Sequence, residues 1–81
     1  MITYESARQA AQNYLGPENW ACIDTAEEYQ EFYVFDDSKE MHAGWIPVMV
    51  FKKDGVVTNY GRYCLSAPES WDPGEGKTIP L

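Results

Sequence analysis

An 81-residue chain can enclose one domain around one modest core. Chains this small often sit only about 3–5 kcal/mol above unfolding, although an aromatic fraction of 15% offers large buried areas per residue. Thirteen acidic residues against six basic ones give a net charge of −7, which repels nucleic acid and anionic membrane and speeds encounter with basic partners.

Thr3 is placed to cap a helix over residues 4–15, with Glu5 in its first turn facing the positive end of the dipole. Tyr4, Ala7, Ala11, Tyr14 and Leu15 recur at helical spacing on one side, and the alanines form a slim stripe suited to a sheet. Gly16 and Pro17 close the helix, since Gly accepts a left-handed cap and Pro cannot continue the coil. The same N-terminal stretch lacks a basic start followed by an apolar run, so no signal peptide is expected. No segment approaches the roughly 20 apolar residues needed to cross a bilayer. The expected compartment is the cytoplasm.

Residues 20–25 read as a first strand and residues 29–36, centred on EFYVFD, as a second. Ala26, Glu27 and Glu28 make the connection, with a helical turn in TAEEYQ as the alternative. Phe32 and Val34 alternate with Tyr33 and Phe35, so both faces of the second strand carry apolar or aromatic groups. Cys22 and Cys64 each adjoin an apolar, strand-like stretch and are expected to remain free thiols acting as small hydrophobes. Residues 36–40 are polar and are expected to form a loop leading to the next hairpin.

The stretch GWIPVMVFKKDGVVTNYG, residues 44–61, is the organising piece. Ile46, Val48 and Val50 point to one face of a strand, and Pro47, Met49 and Phe51 to the other. Asp54 and Gly55 end a four-residue turn that begins at Lys52, and residues 56–60 return, which predicts a β-hairpin. After Gly61 the chain reads as irregular. Ser66 and Glu69 have capping-box spacing with Pro68 between them, which predicts a short helical turn carrying Trp71. Residues 72–81 are Pro- and Gly-rich and should be extended or loosely held. The expected fold is α+β, one domain over residues 1–81 with its compact core in 1–71. An N-terminal helix packs on one face of a four-stranded antiparallel sheet, followed by an irregular C-terminal tail. Aromatics on the other face must meet the tail, a second copy or a partner.

Catalytic patterns are sparse. His42 lies near Asp36, Asp37 and Glu40, but a metal site or general base needs convergent ligands, and a solvated loop accounts for it more simply. Cys22 or Cys64 with His42 lacks any local thiol-nucleophile signature. The run from Gly74 to Thr78 lacks the spacing and the flanking strand and helix of a phosphate loop. Ser66 and Ser70 have no nucleophile-elbow context. No enzymatic activity, cofactor or metal is expected.

Charge patterning is more informative. Asp24, Glu27, Glu28, Glu31, Asp36, Asp37 and Glu40 face only Lys39 across residues 24–40, a window netting −6 of the total −7. Interleaved with them are Tyr29, Phe32, Tyr33 and Phe35. Acidic groups among tyrosines suit capture of a basic protein, because charge guides encounter and buried aromatics hold the complex. A solvated loop beside an ordinary core strand would show the same pattern. Glu27, Glu28, Tyr29 and Tyr33 are expected to face outward. Glu31, Asp36 and Asp37 join them as candidate partner-binding residues, with Trp45 or Trp71 as an anchor. Sheet edges add a second route to a partner and would also permit a homodimer.

Three stretches carry a family resemblance. They are the opening MITYESARQAAQNYL, the strand EFYVFD, and the pattern G-x-x-P-x-x-V-x-K-x-x-G-x-V formed by Gly44, Pro47, Val50, Lys52, Gly55 and Val57. Over about residues 1–65 the chain resembles the Imm35/YrhB-like immunity-protein family of bacterial polymorphic toxin systems. The resemblance implies a small cytoplasmic protein that binds and neutralises a cognate toxin without catalysis. That partner would be basic, with a nuclease among the candidates. The resemblance also allows a chaperone-like role, in which an exposed aromatic sheet face holds many clients.

Overall fold

The computed structural model describes residues 1–37, 47–67, 70–72 and 74–81. Helix α1 spans Tyr4–Leu15, as its caps predict. The Ser6 N–H donates to Thr3 Oγ1 at 3.1 Å, and Gly16, at φ 83°, turns the chain out after donating to the Gln12 carbonyl. Ala7 and Ala11 are fully buried, which lets the helix axis lie close to the sheet, whereas Tyr14 is exposed.

The region expected to be the first strand is instead coiled. Pro17 opens a one-turn helix, α2 (Pro17–Trp20), and successive turn bonds carry the coil onward until Ile23 N–H donates to the Trp20 carbonyl. Trp20 and Ile23 still serve the core, but from a helical turn, with the Trp20 ring 5.6 Å from Phe35. Cys22 is a free thiol and exposed, so it is no buried hydrophobe, while the Cys64 side chain lies outside the described residues. The true first strand, β1, is Thr25–Glu28, the stretch expected to be a connection. Only its Ala26 is buried, so no hydrophobic alternation announces it.

Strand β2 is Phe32–Asp36, β3 is Val48–Phe51 and β4 is Val57–Asn59. The predicted hairpin of β3 and β4 is present, with Gly55 at φ 76° in its turn. Tyr60 does not extend β4. Its N–H closes the ladder on the Pro47 carbonyl at 2.8 Å, and it then begins a third helix, α3 (Tyr60–Ser66). This helix replaces the irregular stretch expected after Gly61. Ser66 ends α3, and the short turn expected from Ser66 to Glu69 falls on Pro68 and Glu69, which lie outside the described residues.

The C-terminal segment is extended, and it also adds a strand. β5 (Lys77–Ile79) pairs antiparallel with β1, so the sheet has five strands where four were expected, in the order β4-β3-β2-β1-β5. Every neighbouring pair is antiparallel.

Strand alternation sorts the core into two layers. Ala26, Tyr33, Phe35, Val48 and Val50 meet α1 on one face. Phe32, Val34 and Met49 lie on the other, under Tyr60, Tyr63 and Trp71. The register Phe32↔Phe51, Tyr33↔Val50, Val34↔Met49 and Phe35↔Val48 keeps the layers apart, since slipping by one residue would exchange them. Among the described residues, no helix is long and apolar enough to cross a membrane.

Candidate protein-binding surface

The acidic window does not form one patch. Thr25 pairs with Asp36 at one end of β1, and Glu28 pairs with Tyr33 at the other. Three residues at about 3.3 Å each place the Asp36 end roughly 10 Å from the Glu28 end. Asp36 and Asp37 lie together at the first end, where the Asp37 N–H donates to Asp36 Oδ1 at 2.8 Å. Glu27 to Glu31 cluster at the second.

Alternation divides that second end again. Glu28 and Tyr33 belong to the α1 face and are engaged there. Lys52 Nζ lies 2.7 Å from Glu28 Oε2 and 5.0 Å from the Tyr33 ring centroid. The Lys52 side chain is only 12% exposed, so this cation is held by the fold. Tyr33 is 7% exposed, with the Tyr4 ring 5.3 Å away. The expectation that Tyr33 faces outward is therefore corrected: its parity puts it beneath α1. Burial pushes the Tyr4 phenol above its ordinary pKa, the Arg8 guanidinium pulls it back, and Tyr33 adds to the rise.

On the opposite face six aromatic rings meet: Tyr29, Phe32, Phe51, Tyr60, Tyr63 and Trp71. Phe32 is the hub, 2% exposed, touching Tyr29 at 4.6 Å, Tyr60 at 5.9 Å, Trp71 at 6.2 Å and Phe51 at 6.3 Å. Tyr63 closes the circuit edge-on, 5.2 Å from Trp71 and 5.4 Å from Phe51. Offset and edge-on ring pairs of this kind add about 0.5–1.5 kcal/mol each beyond the area they bury. The five outer rings are only partly buried and shield Phe32.

Glu27 lies on this face at its rim. The Tyr29 hydroxyl donates to Glu27 Oε2 at 3.4 Å. Gly76 passes over both, and a Cβ there would come within 2.6 Å of Tyr29 Cζ and 2.8 Å of Glu27 Oε2. Glu31, exposed in the turn before β2, accepts at its carbonyl from the Lys52 N–H at 2.9 Å, a register that gives it the parity of Tyr33. Glu31 also lines a groove of about 540 Å³ between the two hairpin turns, with Met1, Gln30, Phe51, Lys53 and Asp54.

Of the expected site residues, the structure thus gathers Glu27, Tyr29 and Trp71 around Phe32, while Glu31 is exposed in the turn before β2. It sends Glu28 and Tyr33 to the other face, and Asp36 and Asp37 to the far end of β1 and β2. Trp45 and His42 lie outside the described residues. Tyr60, Tyr63 and Phe51 were not anticipated as surface rings. The three-residue spacing of Tyr60 and Tyr63 was the available signal, because it sets both on one side of a helical turn. Among the described residues, no three His, Cys, Asp or Glu side chains converge as metal ligands would.

Comparison of the chain with family models, curated proteins and solved structures gave no match.

Proposed function

We propose that the chain is a non-enzymatic, cytoplasmic immunity protein that binds and neutralises a basic toxin. The supporting observation is the partly buried aromatic circuit around Phe32, with Glu27 beside Tyr29 at its rim, on a chain of net charge −7. Rigid tyrosine and tryptophan edges supply contact area at low entropic cost, and the carboxylates steer a cationic partner onto them. The interface is narrower than the acidic window: Glu27, Tyr29, Glu31, Tyr60, Tyr63 and Trp71. Occlusion of a basic cleft, that of a nuclease for example, needs no chemistry from this chain.

The test is protection in cells that express a basic toxin encoded beside this chain. Survival is expected with the intact chain. It should be lost with Glu27→Lys combined with Glu31→Lys, and with Trp71→Ala, in variants whose circular dichroism is unchanged. Survival with both overturns the reading.

The same partly buried rings also favour a second reading, a chaperone-like module that holds many clients weakly. Salt separates the two. Charge-steered capture loses association rate as ionic strength rises, whereas apolar client binding hardly changes.

A further inference from the structure

We infer that the outer edge of β1 is an acceptor site for an extended, basic segment of the partner protein, and that β5 occupies this edge when no partner is bound. The inference deepens the reading above and rests on the partner being basic.

Strand β5 contributes little to the core. Every buried residue of the described core lies between Ala7 and Val50, so β5 supplies none of them. Lys77 and Thr78 are exposed, and only Ile79 packs against the α1-side cluster. Beyond the ladder, the Tyr4 hydroxyl donates to the Pro80 carbonyl at 2.9 Å. The approach to β5 runs through Gly74, at φ 79°, and through Gly76, pressed against Tyr29 and Glu27. Lifting residues 74–79 would therefore do two things together. It would free the backbone donors and acceptors on the outer side of β1, and it would uncover Glu27 and Tyr29 on the aromatic rim.

The register shows what the edge prefers. Lys77 stands opposite Glu28, Thr78 opposite Glu27 and Ile79 opposite Ala26. A replacement strand would thus carry a cation at one position and an aliphatic side chain two residues on, with its intervening residue over Glu27. A basic partner segment fits this pattern. A second copy joined β1 to β1 does not, because it would set Glu27 and Glu28 against their own counterparts on two chains of charge −7.

The probe is the heptapeptide Lys-Thr-Ile-Thr-Lys-Thr-Ile, offered to the whole chain and to the chain shortened to residues 1–73. The shortened chain should bind it at least about tenfold more tightly, because the tethered competitor is gone. Amide shifts should concentrate at residues 25–29, and a peptide with Glu in place of Lys should bind more weakly. Should the shortened chain fail to fold, Ile79→Asp in the whole chain removes the one packed side chain of β5 and should raise affinity likewise. Equal affinity for intact and altered chains, shifts confined to other strands, or dimers formed without peptide binding would each overturn the inference. Since no toxin is used, such a failure would leave the protection test, and the reading it probes, standing.

Discussion

The two faces of the sheet are built from the same strands and differ in how they are closed. The α1 face is sealed by a capped twelve-residue helix whose alanines let it approach, and its strand residues, Tyr33 and Phe35 among Ala26, Val48 and Val50, are all buried. The opposite face is covered by the seven-residue helix α3 and by Trp71, and its filling is aromatic. A short helix cannot span a sheet, so large, partly buried rings fill the remaining width. One face is closed by a long helix, and the other by rings that stay only partly buried. A protein of this size has room for both because successive residues of β2 serve different faces, Phe32 and Val34 on one side and Tyr33 and Phe35 on the other.

The largest effect expected from this contrast is Phe35→Ala. Phe35 is fully buried between Tyr4, Trp20 and the sheet, and emptying such a site costs about 3–5 kcal/mol. Trp71→Ala removes a larger but only partly buried side chain and should cost about 1–3 kcal/mol through its two ring contacts. Urea unfolding measures both. Equal costs would show that the aromatic face is core in the same sense as the other.

Next in size is Ala11→Leu. Ala11 has no exposure and faces the sheet, so extra methylenes must push α1 outward, at about 1–3 kcal/mol. By contrast a single methylene added at Val56, an exposed residue between β3 and β4, as Val56→Leu, should leave stability within about 0.5 kcal/mol. A tolerated Leu at position 11 would mean that the helix does not seal its face closely.

These contrasts also explain what could be read in advance. The caps of α1 and the hairpin at Gly55 were legible because each rests on local chemistry, Thr3 for the orphan N–H groups and Gly for positive φ. β1 was not, because its ladder partners β2 and β5 sustain it while Ala26 alone faces the core. β5 was hidden for a similar reason, as three residues with one packed side chain carry no periodic signal. For the candidate surface, the parity of Tyr33 was readable but its direction was not. With apolar groups on both sides of β2, only the seat of α1 decides which face is closed. Tyr60 and Tyr63 were obscured by Gly61, a poor helix former between them.

A subtler test uses pH at the link between the α1 face and β5. The folded Tyr4 phenol has a raised pKa, so its contribution to stability is complete below the unfolded value, about 10, and is lost as pH rises through the folded value. Ionisation also removes the donor that holds the Pro80 carbonyl. Amide exchange in residues 77–79 should therefore speed up above pH 10, beyond its intrinsic rise, before exchange in β2 and β3 does. Tyr4→Phe should show fast exchange there at every pH. Uniform loss of protection across the sheet would mean that β5 does not open separately.

The smallest effect is the most discriminating, because it sets neighbouring carboxylates of β1 against each other. Glu28 pairs with Lys52 on the α1 face, half in water, and ion pairs of that exposure are worth about 0–1 kcal/mol. Glu28→Gln should therefore lower stability by no more than that, with high salt erasing part of the difference. Because its side chain lies on the face opposite the aromatic rings, the loss should slow charge-steered association less than loss of a rim charge does. It should act instead on how firmly a basic strand is held at the β1 edge. Glu27→Gln is the converse. It keeps an acceptor for the Tyr29 hydroxyl, so stability should not move, but it removes a charge from the rim and should slow association with a basic partner, most visibly at low salt. If the two substitutions slowed association equally, the parity of β1 would be irrelevant to binding, and the partner would be reading net charge alone.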